Sequence, residues 1–221
     1  MPSVPISRLP TRDPGTRARN DKRERILDAA IKVFAKSGYH GSRISDIARE
    51  AGIAYGLVYH YFKNKEEILG SIFEQRWGGF LDALEGIAGE RTSAEDRLVS
   101  VAGLMLSAYR VRPDWVKVLV IEIQRSSRFA EPGQLRAVGQ LFEVVRRILR
   151  DGQESGELRR DLDPAIACYV FLGALELAMT SLVLRIVEID ESTAEGRDHY
   201  GKVARTVVEI FLHGLAAGRP R

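Results

Sequence analysis

Residues 44–66 read ISDIAREAGIAYGLVYHYFKNKE. A short helical pattern ends at Gly52 and a second one begins just after it, which predicts two helices joined by a glycine turn. Residues 46–48 lie on the first helix, residues 51–53 form the turn, and residues 56–62 lie on the second helix. A helix-turn-helix of this kind places its second helix in the major groove of DNA while its first helix crosses the backbone.

The side chains of these two helices divide into an inner and an outer set. The inner set is apolar and packs the helices together: Ile47, Ala48, Ala51, Ile53, Val58 and Phe62. The outer set is left for a partner: Tyr55, Gly56, Leu57, Tyr59, His60 and Tyr61. Residues 59–61 follow one another, and at 100° per residue three large side chains cannot all point inward. The second helix is therefore predicted to be a recognition helix.

Positive charge is concentrated at the amino-terminal end of the chain. Residues 1–64 contain 12 Lys and Arg against 6 Asp and Glu, a net charge of +6, whereas residues 65–221 contain 21 against 24, a net charge of −3. A small basic unit favours a polyanionic partner, because neutralised phosphates drive nucleic-acid affinity. The same charge is also compatible with a solvated arm, which the proline-rich and arginine-rich residues 1–20 are predicted to form.

Helical periodicity recurs along the chain, and strand signals are almost absent. The sequence predicts an all-α protein of about nine helices, three short ones followed by six longer ones. The first helix is predicted over 21–37 and ends at Gly38 in a left-handed conformation. Ser42 is predicted to cap a second helix over 43–50, and a third covers about 54–62.

The most apolar helix is predicted from Ala165 to about Val187. It is near membrane-spanning length, yet Glu176 sits at its centre, where a charge costs roughly 2.5 kcal/mol or more. We interpret it as a buried helix and expect no membrane partner. It carries more apolar surface than one subunit can bury, and residues 203–211 give the final helix a matching stripe. The last two helices are therefore predicted to join two subunits in a homodimer.

Residues that carry metal-binding or catalytic chemistry are sparse. Cys168 is the only cysteine, and the four histidines have no metal-ligand spacing, so we expect no disulfide, no metal site and no redox pair. A single thiol fits a reducing compartment and predicts a cytoplasmic protein. We find no nucleophile–base pair, glycine-rich phosphate loop or carboxylate dyad that would support an enzyme, and no cofactor is expected.

The chain resembles the TetR/AcrR family of bacterial transcriptional regulators over about its first third. The resemblance is carried by residues 44–66, by Ile26-Leu27-Asp28-Ala29-Ala30, and by Phe34 with Gly38-Tyr39. It implies an all-helical homodimer whose helix-turn-helix binds a near-palindromic, double-stranded DNA operator. It also implies that the larger carboxyl-terminal half binds a small molecule that usually releases the DNA.

This resemblance supplies candidate DNA-binding residues. Those at positions that face bases or nearby phosphates are Arg43, Ser45, Tyr55, Gly56 and Leu57, and those at positions that commonly touch the backbone are Tyr59, His60, Tyr61 and Lys65. Three of them have alternative readings: Tyr59 as a half-buried core residue, His60 as an exposed bystander and Lys65 as a solvated lysine. Ala54, Tyr55 and Leu57 depart from the family's common residues, so contacts with thymine methyl groups are expected to outweigh hydrogen bonds.

A weaker resemblance points to the branch that contains regulators of fatty-acid degradation. It is carried by residues 121–126, residues 152–158 and Asp163, and it implies a long-chain acyl-CoA as the ligand. Candidate apolar walls of the ligand site are Leu104, Met105, Trp115, Leu119, Phe142, Phe171, Leu172 and Leu175. Arg125 or Arg128 is expected to meet a CoA phosphate. The alternatives are that the aromatic residues are plain core, or that a planar aromatic compound stacks on Trp115 or Phe142.

Two carboxylates interrupt apolar stretches of the carboxyl-terminal half. Glu122 and Glu176 are candidates for the ligand site, because a buried carboxylate needs a partner or a ligand. For Glu176 the alternative is an arginine across the dimer.

These observations predict a ligand-responsive DNA-binding regulator, most simply a repressor. The predicted domains are a flexible basic arm at 1–20, the helix-turn-helix domain at 21–66, and a ligand-binding and dimerisation domain at 67–221. An enzyme and a ligand-independent architectural DNA-binding protein are the alternative classes. A body of about 155 residues exceeds what dimerisation alone needs, which favours the regulator.

Overall fold

The structure is a computed structural model that describes residues 14–125, 132–190 and 192–214. Across those residues it contains nine α-helices and no strand, which confirms the predicted all-α class. The helices are α1 (Pro14–Gly41), α2 (Ile44–Ala51), α3 (Tyr55–Val58), α4 (Lys65–Ala88), α5 (Ala94–Val111), α6 (Pro113–Arg125), α7 (Pro132–Ser155), α8 (Pro164–Val183) and α9 (Ala194–His213).

The chain divides into two compact units, Met1–Ile72 and Phe73–Arg221. The first unit contains α1, α2, α3 and the start of α4. The second contains the rest of α4 and the five helices that follow. The sequence-based division after residue 66 falls inside α4.

The first unit has a small apolar core drawn from all of its helices. Its fully buried large side chains are Ile26 and Leu27 of α1, Ile47 of α2, Phe62 after α3, and Ile68 and Ile72 of α4. Helix α1 begins at Pro14, so residues 14–20, which the sequence assigned to an arm, are helical; residues 1–13 of that arm lie outside the described residues. Gly38 interrupts α1 with a φ of 70°, the positive φ that was predicted there.

Ser42 does not cap α2, contrary to the prediction. Its hydroxyl donates a hydrogen bond to the carbonyl oxygen of Gly38 at 2.6 Å, because the interruption of α1 leaves that acceptor without a helical partner. Helix α2 begins at Ile44 instead. Its first turn is closed by Asp46, whose carboxylate accepts the backbone N–H of Arg43 at 3.1 Å.

The recognition helix is shorter than predicted. Helix α3 covers only Tyr55–Val58, and the chain continues through a tighter turn in which His60 N–H bonds to Leu57 and Tyr61 N–H bonds to Val58. These i→i+3 bonds are typical of the 3₁₀ turns that end α-helices. The predicted helix over 54–62 is thus one α-helical turn followed by a tight turn.

Helix α5 is the central helix of the second unit and packs against α6, α7, α8 and α9. Its amino-terminal end is capped by Ser93, whose hydroxyl oxygen accepts the backbone N–H of Asp96 at 3.0 Å. The buried guanidinium of Arg97 is neutralised by Asp151 of α7 at 3.0 Å. A buried cation needs such a partner, so this ion pair fixes α5 against α7.

Helix α8 is buried on one face within the subunit, and its other face is exposed. It is long and apolar enough to cross a membrane, which is weak evidence because core helices of soluble proteins share that composition, and 33% of its most apolar window is buried. It ends at Val183 rather than near Val187. Arg185 adopts a φ of 54°, and Ile186 N–H closes the end on the carbonyl oxygen of Ser181.

Candidate nucleic-acid interface and ligand cavity

The nine candidate DNA-binding residues are all exposed or half-buried within the first unit. Tyr59 is 46% exposed and Tyr55 54% exposed, so neither ring belongs to the buried core. The inner set behaves differently, since all of its members are buried except Ile53, which is half-buried. The predicted division of this segment into a buried apolar face and an exposed face is thus present in the structure.

Tyr55 and Tyr59 form a pair on the exposed side of α3. Their hydroxyl oxygens lie 2.9 Å apart, and their rings meet edge-on with centres 5.4 Å apart. The hydrogen bond with Tyr55 raises the pKa of Tyr59, so the Tyr59 phenol is neutral at physiological pH. The two side chains therefore present one exposed surface of rings and hydroxyl groups.

The turn between α2 and α3 is held from behind by α1. Gly52 adopts a left-handed conformation with a φ of 63°, which glycine reaches without steric cost. Arg25 of α1 donates a hydrogen bond to the carbonyl oxygen of Ala51 at 2.8 Å. This contact satisfies an acceptor at the end of α2 and fixes the position from which α3 starts.

Lys65 lies at the first position of α4 and binds the end of α1. Its ammonium donates to the carbonyl oxygens of Tyr39 at 2.5 Å, Ser42 at 2.9 Å and His40 at 3.5 Å. The Tyr39 hydroxyl in turn donates to the carboxylate of Glu66 at 2.8 Å. Lys65 is therefore not simply a solvated lysine, because three carbonyl oxygens surround its charge.

A largely apolar cavity of about 310 Å³ lies within the second unit. Its lining residues come from α4, α5, α6, α7 and α8: Trp77, Phe80, Met105, Ala108, Trp115, Val116, Leu119, Val120, Val138, Leu141, Phe142, Leu172, Glu176 and Met179. The volume is at the lower end of the range of roughly 300–1,000 Å³ that small-molecule sites occupy. We call it the apolar cavity.

Six of the predicted ligand-site residues line this cavity: Met105, Trp115, Leu119, Phe142, Leu172 and Glu176. Phe171 and Leu175 do not, because they are fully buried on another face of α8, where Phe171 packs against Phe211. Leu104 lines a second cavity instead. The side chains of Glu122 and Arg125, and the whole of Arg128, lie outside the described residues.

Several lining residues were missed by the sequence analysis. They include Trp77 and Phe80 of α4, Val116 and Val120 of α6, and Val138 and Leu141 of α7. In each pair the residues are three or four positions apart, so they share one helix face. That periodicity is visible in the sequence, but it also describes plain core, and only the packing of the helices separates the two cases.

Two titratable side chains, Glu176 and Cys168, lie at or near the cavity. Glu176 lines the cavity and is exposed within the single subunit. Cys168 is buried, its thiol lies 3.6 Å from the carbonyl oxygen of Phe142, and burial raises its pKa to about 11. Among the described residues no group of three or more His, Cys, Asp or Glu is placed to hold a metal ion.

Comparison with known proteins matches both halves of the chain to one family. Residues 26–72 match the family described as "Bacterial regulatory proteins, tetR family", and residues 95–208 match "Tetracyclin repressor-like, C-terminal domain". The "Fatty acid metabolism regulator protein" of Bacillus subtilis is 30% identical over 190 residues, which cover 86% of this chain and 93% of that protein.

Two solved structures of fatty-acid regulators share the fold. The regulator FadR from Bacillus subtilis, solved in complex with stearoyl-CoA, has a TM-score of 0.76 at 28% identity and covers 87% of this chain and 99% of its own. The fatty acid degradation regulator FadR from Bacillus halodurans has a TM-score of 0.77 at 26% identity. The match covers 93% of this chain and 98% of that protein.

These matches confirm the predicted function class, a ligand-responsive DNA-binding regulator rather than an enzyme. They extend the resemblance, which the sequence motifs carried over the first third, to most of the chain. The chain belongs to the tetR family of bacterial regulatory proteins.

Proposed function

We propose that this protein is a homodimeric repressor that binds a near-palindromic operator and leaves it when a long-chain acyl-CoA binds. The DNA-binding half of the proposal is supported by the first unit, where the candidate contact residues are accessible around α3. In a two-fold dimer the two half-sites lie about one helical turn apart, roughly 34–36 Å. The repressor acts in the cytoplasm, where its operator lies.

The observation that carries the ligand half is the apolar cavity. Of the fourteen lining residues that the structure describes, thirteen are apolar or aromatic, and the remaining one is Glu176. Such a lining suits a hydrocarbon chain, because its transfer out of water is favourable and it needs few polar partners. The likeness to a regulator solved with stearoyl-CoA supports the same ligand class.

A planar aromatic compound is the second candidate ligand. Four aromatic side chains line the cavity, namely Trp77, Phe80, Trp115 and Phe142. Rings of this kind favour edge-on or offset stacking on an aromatic guest. The two candidates differ in shape, since an acyl chain is long and flexible and an aromatic compound is short and rigid.

The dimer is proposed to form on α8 and α9. The exposed face of α8 carries large apolar side chains at helical spacing: Ile166, Tyr169, Val170 and Leu177. Ile210 of α9 is also exposed. Apolar surface of this extent on a soluble regulator is stabilised when a second copy covers it, and a two-fold pairing of α8 and α9 forms a four-helix seam.

Calorimetric titration of palmitoyl-CoA into the protein, with and without operator DNA, tests the proposal. Ligand-driven release requires that the ligand prefer the released conformation, by about 5.5 kcal/mol for a reversal from 99:1 to 1:99. Because coupling is reciprocal, the operator must weaken palmitoyl-CoA binding by the same factor by which palmitoyl-CoA weakens operator binding.

The possible results of these titrations point to different parts of the proposal. Weaker binding in the presence of operator supports ligand-driven release. Equal affinities in the two titrations rule out release by this ligand. No binding in either titration rules out the acyl-CoA, and binding of a planar aromatic compound by the same protein would then favour the second candidate.

A further inference from the structure

We infer that a second cavity, beside the apolar one, holds the phosphate-bearing head of the ligand, with Arg76 and Arg112 as the groups that attract it. This inference rests on the proposed acyl-CoA function. It assigns the polar half of the ligand to a different set of residues from those that contact the acyl chain. We call this second space the cationic cavity.

The cationic cavity lies between α4, α5 and the start of α6 and measures about 410 Å³. Its polar lining residues are Gln75, Arg76, Ser107 and Arg112. Arg76 is half-buried, whereas Arg112 is exposed at the corner between α5 and α6. Guanidinium, hydroxyl and amide groups can all donate hydrogen bonds to phosphate oxygens.

The two cavities are neighbours. Phe80, Ala108 and Trp115 line both of them. Ala108 is the smallest of the three, and as a residue of α5 it contributes only a methyl group to the boundary between the two spaces. These three residues form the wall that the two cavities share, and a long molecule that passes it at Ala108 would place one end in each cavity.

The two cavities differ in charge, and this difference orients such a molecule. Glu176 is the only ionisable lining residue described for the apolar cavity, and Arg76 and Arg112 are the ionisable ones described for the cationic cavity. A phosphate is repelled by the carboxylate and attracted by the guanidinium groups, whose planar donors match phosphate oxygens. The acyl chain is left to the apolar cavity, where burial from water stabilises it.

This arrangement differs from the one predicted from the sequence. That prediction gave the phosphate contacts to Arg125, the last residue of α6, or to Arg128, which lies outside the described residues. Arg112 instead precedes the first residue of α6, so the two predictions place the ligand head at opposite ends of that helix. Variants at the two ends can therefore tell them apart.

The test compares charge reversals by calorimetric titration of the full-length protein. R112E is measured against R110E, an exposed position of α5 that lines neither cavity, so that both variants change the net charge equally. R125E reports on the other end of α6. The ligands are palmitoyl-CoA and the palmitoyl thioester of N-acetylcysteamine, which keeps the acyl chain and lacks phosphates, both below their micelle concentrations.

We expect R112E to weaken palmitoyl-CoA binding about tenfold or more relative to R110E, since it removes a charge-assisted contact and adds repulsion. The phosphate-free thioester should bind R112E and R110E equally. Equal palmitoyl-CoA affinities of R112E and R110E, or a loss seen only in R125E, would overturn the inference. Failure of the unmodified protein to bind palmitoyl-CoA at all would instead overturn the proposed function on which the inference rests.

Discussion

The ammonium of Lys65 lies 2.5 Å from the carbonyl oxygen of Tyr39 and 4.3 Å from the centre of the same residue's ring. The Lys65 ammonium thus contacts both the backbone at the end of α1 and the face of the Tyr39 ring. Carbonyl oxygens at a helix end carry partial negative charge, and a positive side chain there stabilises the helix. The first residue of α4 is therefore tied to α1, on which the helix-turn-helix packs.

Replacing Lys65 with Gln should lower the free energy of unfolding by about 1–3 kcal/mol, because the carbonyl oxygens around it lose a charged donor. It should also weaken binding to operator and to unrelated DNA alike, since no base contact is lost. Chemical denaturation and fluorescence anisotropy measure the two effects. Lys63→Gln is the control, because Lys63 is exposed and its replacement removes the same charge. Equal free energies of unfolding for the two variants would contradict the role of Lys65 in stabilising the end of α1.

Replacing Tyr55 with Ala should change which operator binds best rather than weaken all operators equally. Its ring is exposed on α3, and loss of a base contact costs about 1–3 kcal/mol of discrimination. Tyr55→Phe keeps the ring and removes only the hydroxyl bond to Tyr59, so it separates ring contacts from hydrogen bonding. Selection from a randomised operator library measures the preference. An unchanged preference in Tyr55→Ala would mean that α3 is not the recognition helix.

The sequence predicted the fold well where local signals and packing agree. Residues 44–66 carry both the glycine turn and the apolar pattern, and both are present in the structure. The error at Ser42 lies where a residue stands between two helices and its side chain bonds to the helix before it. Ser42 has the side chain of a helix cap, yet the break at Gly38 creates a nearer acceptor, and the hydroxyl bonds there instead.

The ligand cavity was only partly predictable, because periodicity identifies the buried face of a helix but not the gaps in its packing. Phe171 and Phe142 both lie in apolar helical stripes. Phe171 is fully buried and packs against Phe211, whereas Phe142 lines the cavity. The difference arises from how α7, α8 and α9 meet, and no pattern within one helix contains it.

Two glycines of α7 should respond oppositely to replacement with alanine. A methyl group at Gly152 would lie 2.7 Å from the Ala94 side chain and 2.7 Å from that of Leu158, so Gly152→Ala should destabilise the protein by about 1–3 kcal/mol. No described atom lies within 4 Å of a methyl group placed at Gly139, and Gly139→Ala should stabilise α7 by about 0.5–1 kcal/mol. Thermal unfolding measures both, and a loss of stability in Gly139→Ala would show that its surroundings are tighter than described.

Replacing Leu177 with Arg should convert the proposed dimer into a monomer. Leu177 is 68% exposed on the outer face of α8, and a charge buried in an apolar seam without a partner is strongly unfavourable. Sedimentation velocity at micromolar concentration measures the mass. Val111→Arg is the control, since Val111 is 70% exposed on α5 and lies outside the proposed seam. A monomeric unmodified protein, or a dimeric Leu177→Arg variant, would contradict the proposed interface.

Replacing Ala108 with Trp should produce a repressor that binds its operator normally and no longer responds to palmitoyl-CoA. Ala108 lines both cavities, so an indole there fills the space that the proposed ligand must cross. The affinity for palmitoyl-CoA should fall by more than about tenfold, equivalent to about 1.4 kcal/mol. The control is Ala83→Trp, an exposed position of α4 that lines neither cavity. Operator release is followed by anisotropy during palmitoyl-CoA addition, and release from Ala108→Trp at the same concentrations as from Ala83→Trp would place the ligand elsewhere.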